Sequence, residues 1–585
     1  MPNLTSFPHL TSTGPPPSAR DVAFVYRQSF SKLVEAGTLR PFVFPYHMYG
    51  YVLLMIYLCI PHTKRPWLYT ARWLVLGVIS AFQWKTLWQT SSASPAISFA
   101  AGLVAAWIWV WAWVWLIFYR PQSESKRVQR RETSSRIRSE AIAGISTSRE
   151  NGHVMDRPNG DSTLKQRRGG PSHRAEENGA VLRKSSEILE TPVEANGRAQ
   201  DAGTSSSTLG RSLSNGKVPG KGVEVEEYYW QSYPDKLGER ISWVIDLVLN
   251  FRGPGWNWAI DPLPLPPLYI SQQLGGPIDD SSRTGRSFTG LKCYNTRREL
   301  FRARFPQFII GYFVLDALKV LLMKDPYFIF GPNTYDLPPL LQHLHPEALR
   351  FVRQVESACV IIVTLEMLLF LAPLGMSSLL GPKVLGQRAE AWYYPTTWGS
   401  FSIVLDKGLN GLWGSWWHQT FRFAFAAPTV SLESNGYIHA RSKATKLIAL
   451  FFAFGISGLL HAGGSITQLP HSHPSNPMYF FMSQILGIFI QAIFCTIFHP
   501  SLKALPKTVR RTGNLVFAVG WMFYTGWLLT DDFARGGVWL YEPIPFSPLR
   551  GLGFGGKGDG WWCWGDHIGI GWYTGKHWWE SGIAI

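Results

Sequence analysis

Two histidines forty-three residues apart, His418 and His461, are the side chains in this sequence best placed to do chemistry. His418 stands in Trp413-Gly414-Ser415-Trp416-Trp417-His418-Gln419-Thr420-Phe421-Arg422, and His461 follows the apolar run that ends Phe454-Gly455-Ile456-Ser457-Gly458-Leu459-Leu460. Near neutral pH a histidine can take a proton from a hydroxyl and return it to a leaving group. An ionisable ring inside a membrane span is costly to bury, so it marks a functional site. On a helix Ser457 and His461 are four residues apart and share a face, and Gly458 leaves room beside them for a substrate or a neighbouring helix. Around His418, Trp413, Trp417, Gln419 and Arg422 combine an aromatic wall with polar donors. Such a wall suits a flat thioester or nucleotide next to a cation for its phosphate. Each motif alone has a plainer reading. His461 could simply bond a backbone carbonyl near the end of its span, and residues 413–422 could be an interfacial helix with belt tryptophans and a snorkelling Arg422.

The elements that must hold these residues are long and apolar. The sequence has 585 residues, 46% of them hydrophobic. The hydrophobic residues bunch into runs long enough to cross a hydrocarbon core of about 30 Å. Spans are expected at 43–60, 67–83, 97–119, 305–323, 356–376, 444–463, 478–498 and 514–530. The third carries Trp107, Trp109, Trp111, Trp113 and Trp115, an every-second-residue pattern that would suit a strand, but its length favours a helix. The 27 tryptophans and 22 tyrosines, many beside the runs, read as an aromatic belt. The expected class is therefore an all-α polytopic membrane protein with about eight transmembrane helices.

The chain divides into a polar N-terminal segment (1–40), three spans (41–119), a basic linker (120–225), a core (226–550) and a Trp- and Gly-rich tail (551–585). The linker is rich in Ser, Arg, Gly and Glu and almost free of aromatic residues. It cannot bury enough apolar surface to offset its chain entropy, so it should be a disordered cytosolic loop. Lys64, Arg65, Arg120, Lys126, Arg127, Arg130, Arg131, Lys503, Lys507, Arg510 and Arg511 fall in loops that the span count puts on one face. That face should be cytosolic, with residues 377–443 on it and both termini opposite. The sequon at Asn3 would then be lumenal and open to glycosylation. The tail could lie on the membrane surface or cover a cavity mouth. No charged segment runs straight into an apolar one at the start, so the first span, rather than a cleaved signal peptide, should direct insertion.

The net charge of +17 is accounted for by these loops and by anionic headgroups, so no nucleic-acid partner is expected. Five scattered cysteines make no CxxC pair, and His471-Ser472-His473 offers only two ligands, so neither a disulfide framework nor a metal site is expected. Glu366, within its span, reads as an interhelical or cavity residue.

The pair of histidine motifs resembles the wax-synthase-like branch of the membrane-bound O-acyltransferase superfamily. Arg252-Gly253-Pro254-Gly255-Trp256, Asp325-Pro326 and Pro395-Thr396-Thr397-Trp398-Gly399-Ser400 resemble that family too, and the likeness runs from about 230 to 550. It implies a bundle of that family's kind and acyl transfer from coenzyme A to a hydroxyl. By position, His461 matches the intramembrane histidine regarded as catalytic, and His418 a polar position where other branches use Asn or Asp. Ser415 and Trp416 stand where the family often has two basic residues, which leaves Arg422 as the nearby cation. The implied site is His461 and His418 for catalysis, with Trp413, Trp417, Gln419, Arg422 and Ser457 binding substrate. The implied co-substrate is acetyl-CoA or another acyl-CoA, with no permanently bound cofactor. The partners are a hydrophobic alcohol and membrane lipid, and the oligomeric state is open.

The resemblance extends to fungal O-acetyltransferases of terpenoid and meroterpenoid secondary metabolism, in the endoplasmic reticulum membrane. A long-chain wax ester or sterol ester synthase is the alternative. From another class, a proton-coupled transporter could use an intramembrane histidine as a relay, but transporters usually carry internal repeats and neither motif recurs.

Overall fold

Without water, a helix satisfies its backbone polar groups within its own segment, so apolar runs in a bilayer become helices. The computed structural model describes residues 16–134, 224–377, 381, 385–556, 558–564 and 570–585. Its longer helices are α1 (Ala19–Glu35), α2 (Tyr49–Cys59), α3 (Arg72–Gln89), α4 (Pro95–Trp113), α5 (Leu237–Leu249), α6 (Arg297–Leu322), α7 (Pro346–Gly375), α8 (Ser402–Gly411), α9 (Arg422–Ser434), α10 (Lys443–Ile466), α11 (Ser475–Ile497) and α12 (Lys507–Arg535).

Among the described residues five helices are long and apolar enough to cross a membrane: Pro95–Phe118, α6, α7, α10 and α11. The protein is a polytopic membrane protein on that basis. The other three predicted spans are helical but fall short of the same standard. The first yields only the apolar stretch Tyr46–Cys59, and α3 and α12 are less apolar.

Small strands also depart from the all-α expectation. β1 (Arg40–Pro41), β2 (Val43–Phe44), β3 (Thr90–Ser91), β4 (Arg127–Ser134), β5 (Glu224–Gln231), β6 (Gly571–Tyr573) and β7 (Gly582–Ala584) form three little sheets. β4 and β5 pair antiparallel from Arg127–Gln231 to Ser134–Glu224. Residues 121–134, expected to be disordered, thus begin as a helical turn and a strand. The aromatic β5, just beyond the polar stretch, supplies the partner strand. Residues 135–223, the rest of that linker, and the Asn3 sequon lie outside the described residues. The tail is tied to the first spans, and the residues just before it to α6. β7 pairs with β2, and Ser92 Oγ donates to the Ile585 carbonyl at 2.7 Å. Buried Asp316 of α6 accepts from Ser547 Oγ and from Leu549 N.

The centre of the bundle is α4. Over its most apolar window 61% of residues are buried, against 11% for α7, so α4 is surrounded by protein and α7 faces outward. The tryptophan pattern follows from this. Trp107, Trp111 and Trp115 recur every four residues, lie on one helical face and are buried. Trp113, on the other face, is exposed. After Trp113 the helix widens into a π turn, Val114–Phe118.

α4 and α10 cross at small residues. A Cβ on Gly102 would overlap the Gly463 carbonyl and Thr467 Oγ1, and one on Gly464 would overlap the Phe99 ring. The crossing is locked by Thr467 Oγ1, which donates to the Ser98 carbonyl at 2.6 Å. Small residues of this kind let membrane helices approach closely. Gly102→Val should therefore force the two helices apart, since a backbone carbonyl cannot move as a side chain does. Overpacking of this kind typically costs about 1–3 kcal/mol. Thermal denaturation in detergent should show a lower Tm, and an unchanged Tm would mean that the crossing is not close in solution.

Candidate active site

The His418 motif rides on a broken helix. α8 is interrupted at Gly408, whose φ of 59° and ψ of −133° are open to glycine. A π turn, Leu412–Trp416, follows, and the chain then extends at Trp417. Broken backbone among membrane helices is tolerated where it is buried in protein or lines a cavity. Trp413 anchors the turn, its Nε1–H donating to Gln484 Oε1 of α11 at 3.2 Å.

Gln419 and Arg422 brace this turn from inside. Gln419 Nε2 donates to the Trp413 carbonyl at 3.1 Å, and Arg422 Nη1 donates to the Gly414 carbonyl and to Gln419 Oε1, each at 2.8 Å. Burial lowers the Arg422 pKa, and Asp261 opposes the shift. Both side chains, read from sequence as substrate contacts, hold the loop through these bonds.

His418 itself is packed among rings: Trp417 at 5.4 Å, Phe421 at 5.9 Å and Trp398 at 6.0 Å between centroids. Its Nδ1 is buried without a hydrogen-bond partner among the described residues. Burial, reinforced by the nearby Arg252 guanidinium, drives the imidazole down to about 3, so the ring is neutral at physiological pH.

His461 lies on α10, and its Nδ1 is 2.8 Å from the Ser457 carbonyl. A carbonyl can only accept, so Nδ1 carries the proton and Nε2 presents a lone pair. His461 therefore meets Ser457 through the serine's backbone, not its hydroxyl. Gly458 makes room for a neighbouring helix, since a Cβ there would meet Met478 Sδ at 2.7 Å. The His461 ring lies 4.5 Å from Phe481 and 6.4 Å from Phe99.

The two histidines share one aromatic wall. From His418 it passes through Trp417 and Trp413 to Phe481 and His461, with successive centroids 4.5–6.1 Å apart. They sit at different heights on α4. His461 is level with Phe99, whereas Phe421 beside His418 packs on Trp107 at 4.5 Å. Eight residues of helix separate Phe99 from Trp107, a rise of about 12 Å.

Several residues of the wall carried no role in the sequence reading. Phe99 and Phe481 had no polar signal to single them out. Trp398 lay in a segment noted only for resemblance. Arg252 donates to the Thr396 and Pro395 carbonyls, each at 2.8 Å, and so fastens the segment carrying Trp398. The signal that could have found the Trp413 anchor is Gln484, an amide within an apolar span. Glu366 meets Arg304 across α6 and α7 at 2.5 Å, which makes it interhelical.

Residues 394–483 match the family model described as Membrane bound O-acyl transferase family. Over this segment the chain is similar to that family. The matched segment holds both histidines, the broken helix and most of the wall. A 302-residue stretch is 24% identical to "O-Mevalon transferase macI" of Penicillium terrestre. A 308-residue stretch is 24% identical to "O-Mevalon transferase yanI" of Aspergillus niger. Each alignment covers 49% of this chain and spans 61% of the length of the relative. No solved structure gives a significant match.

Proposed function

We propose that this protein moves an acyl group from acyl-CoA to the hydroxyl of an apolar, terpenoid-type alcohol, in the endoplasmic reticulum membrane. The observation that carries the reading is the His461 tautomer. Nδ1–H is held by the Ser457 carbonyl, which leaves Nε2 as a base against an aromatic wall that also reaches His418. Nε2 takes the proton of the acceptor hydroxyl, and the oxygen attacks the thioester carbonyl. The C–S bond breaks, the ester forms, and the proton passes from Nε2 to the departing thiolate. No covalent enzyme intermediate is required. His418 orients the donor or its carbonyl through the unpartnered Nδ1. Gln419 and Arg422 act by shaping the turn on which Trp413, Trp417 and His418 stand.

For the acyl group, acetyl is the leading choice. The names of the two relatives favour a second, a mevalon-type acyl group. Microsomes containing the full chain, given labelled acyl-CoA and a panel of terpenoid and phenolic alcohols, should form labelled ester. His418→Ala should lower the rate, by up to about 10²–10³ if its role is that of an oxyanion donor. No incorporation from any acyl-CoA would sink the assignment.

A further inference from the structure

We propose that Gln491, acting with Asn514, is a positioning residue that holds the helix break at Gly408 and so sets the His418 turn. The inference rests on the acyltransfer reading for its functional consequence but not for its geometry. Breaking a helix orphans backbone groups on both sides of the break, and away from water each must find a partner. Around Gly408 three of these groups are met by side chains of other helices. Gln491 Oε1 accepts from Leu409 N at 3.0 Å, just after the break. Gln491 Nε2 donates to Asn514 Oδ1 at 3.1 Å. Asn514 Nδ2 donates to the Leu405 and Asp406 carbonyls, each at 2.9 Å, just before it. The amides of α11 and α12 thus replace the hydrogen bonds that α8 forgoes.

The fit is close. A Cβ on Gly408 would overlap the Gln491 amide, so the packing and the positive φ both call for glycine here. Gln484, Gly487 and Gln491 fall on one face of α11. Gln484 anchors Trp413, and Gly487 lets Leu409 and Trp521 approach. This face is shaped to seat the broken helix, and the direction in which the helix leaves the break determines where His418 points.

The test uses the full chain in microsomes, with Gln491→Ala and Asn514→Ala. Maleimide labelling at Ser415→Cys, resolved by peptide mass spectrometry to exclude the native cysteines, reports the turn without reference to activity. We expect labelling at least threefold faster in either variant, and kcat at least tenfold lower with the donor KM within twofold of wild type. Unchanged labelling, or unchanged kcat beside faster labelling, overturns the proposal. If Gln491→Ala accumulates poorly, Gln491→Glu carries the test. It keeps the acceptor for Leu409 N and loses the donor to Asn514, so labelling between wild type and Asn514→Ala is expected, and wild-type labelling in both overturns the latch. If the wild-type chain transfers no acyl group, the functional reading fails while labelling still decides the latch.

Discussion

Replacing His461 by alanine should abolish acyl transfer while leaving the protein folded. A positioned general base contributes about 10²–10⁴ in rate. The structural loss is small by comparison. Among the described residues the ring makes one hydrogen bond, to the Ser457 carbonyl, and a typical bond of that kind contributes about 0.5–1.5 kcal/mol net. The two quantities therefore separate a catalytic histidine from one that merely satisfies a backbone group. Labelled-ester formation should fall to background in His461→Ala at wild-type protein level and with a Tm within a few degrees of wild type. Retained activity would refute the assignment of the base, whatever the chain then does.

The second large effect is expected at a buried carboxylate outside the aromatic wall. Asp246 on α5 is buried and accepts from Tyr393 Oη at 2.9 Å and from Arg388 Nε at 3.1 Å, with Arg127 Nη1 at 3.5 Å. It joins α5, strand β4 and the segment that leads to Trp398. Asp246→Ala leaves two guanidinium groups without their carboxylate, and breaking a buried pair from one side typically costs about 3–5 kcal/mol. Thermal denaturation in detergent should show a large drop in Tm, and acyl transfer should fall with the amount of folded protein. Tyr393→Phe removes one neutral partner and should cost much less. Equal Tm values for Asp246→Ala and wild type would mean that the cluster is solvated rather than buried.

How much of this was legible beforehand varies by element. The third predicted span, 97–119, became Pro95–Phe118 because a run of that length and apolarity has no better state in a bilayer. The run at 43–60 is helical over only part of its length. Its first residues pair as β2 with β7, over five hundred residues away, and the helix that follows has only 11 residues. Composition carries no record of such a partner. The same holds for residues 127–134, whose polar composition reads as disorder until β5 is set beside them. Gln419 and Arg422 stand out in the sequence as polar groups in an apolar setting, and the fold adds that they bond each other and carbonyls of their own turn.

The sequence by itself determined the class of molecule and the residues able to do chemistry. Apolar length dictates helices in lipid, and an imidazole beside neutral pKa is costly enough in such a place to be conspicuous. It could not determine which nitrogen of His461 carries the proton, or that His418 lies on the same aromatic wall. Those depend on a carbonyl one turn back, on the close crossing of α4 with α10 at Gly102, Gly463 and Gly464, and on a helix break at Gly408 whose orphaned groups find their partners on α11 and α12. Apart from that carbonyl, these contacts join residues distant in the chain, and only the folded packing brings them together.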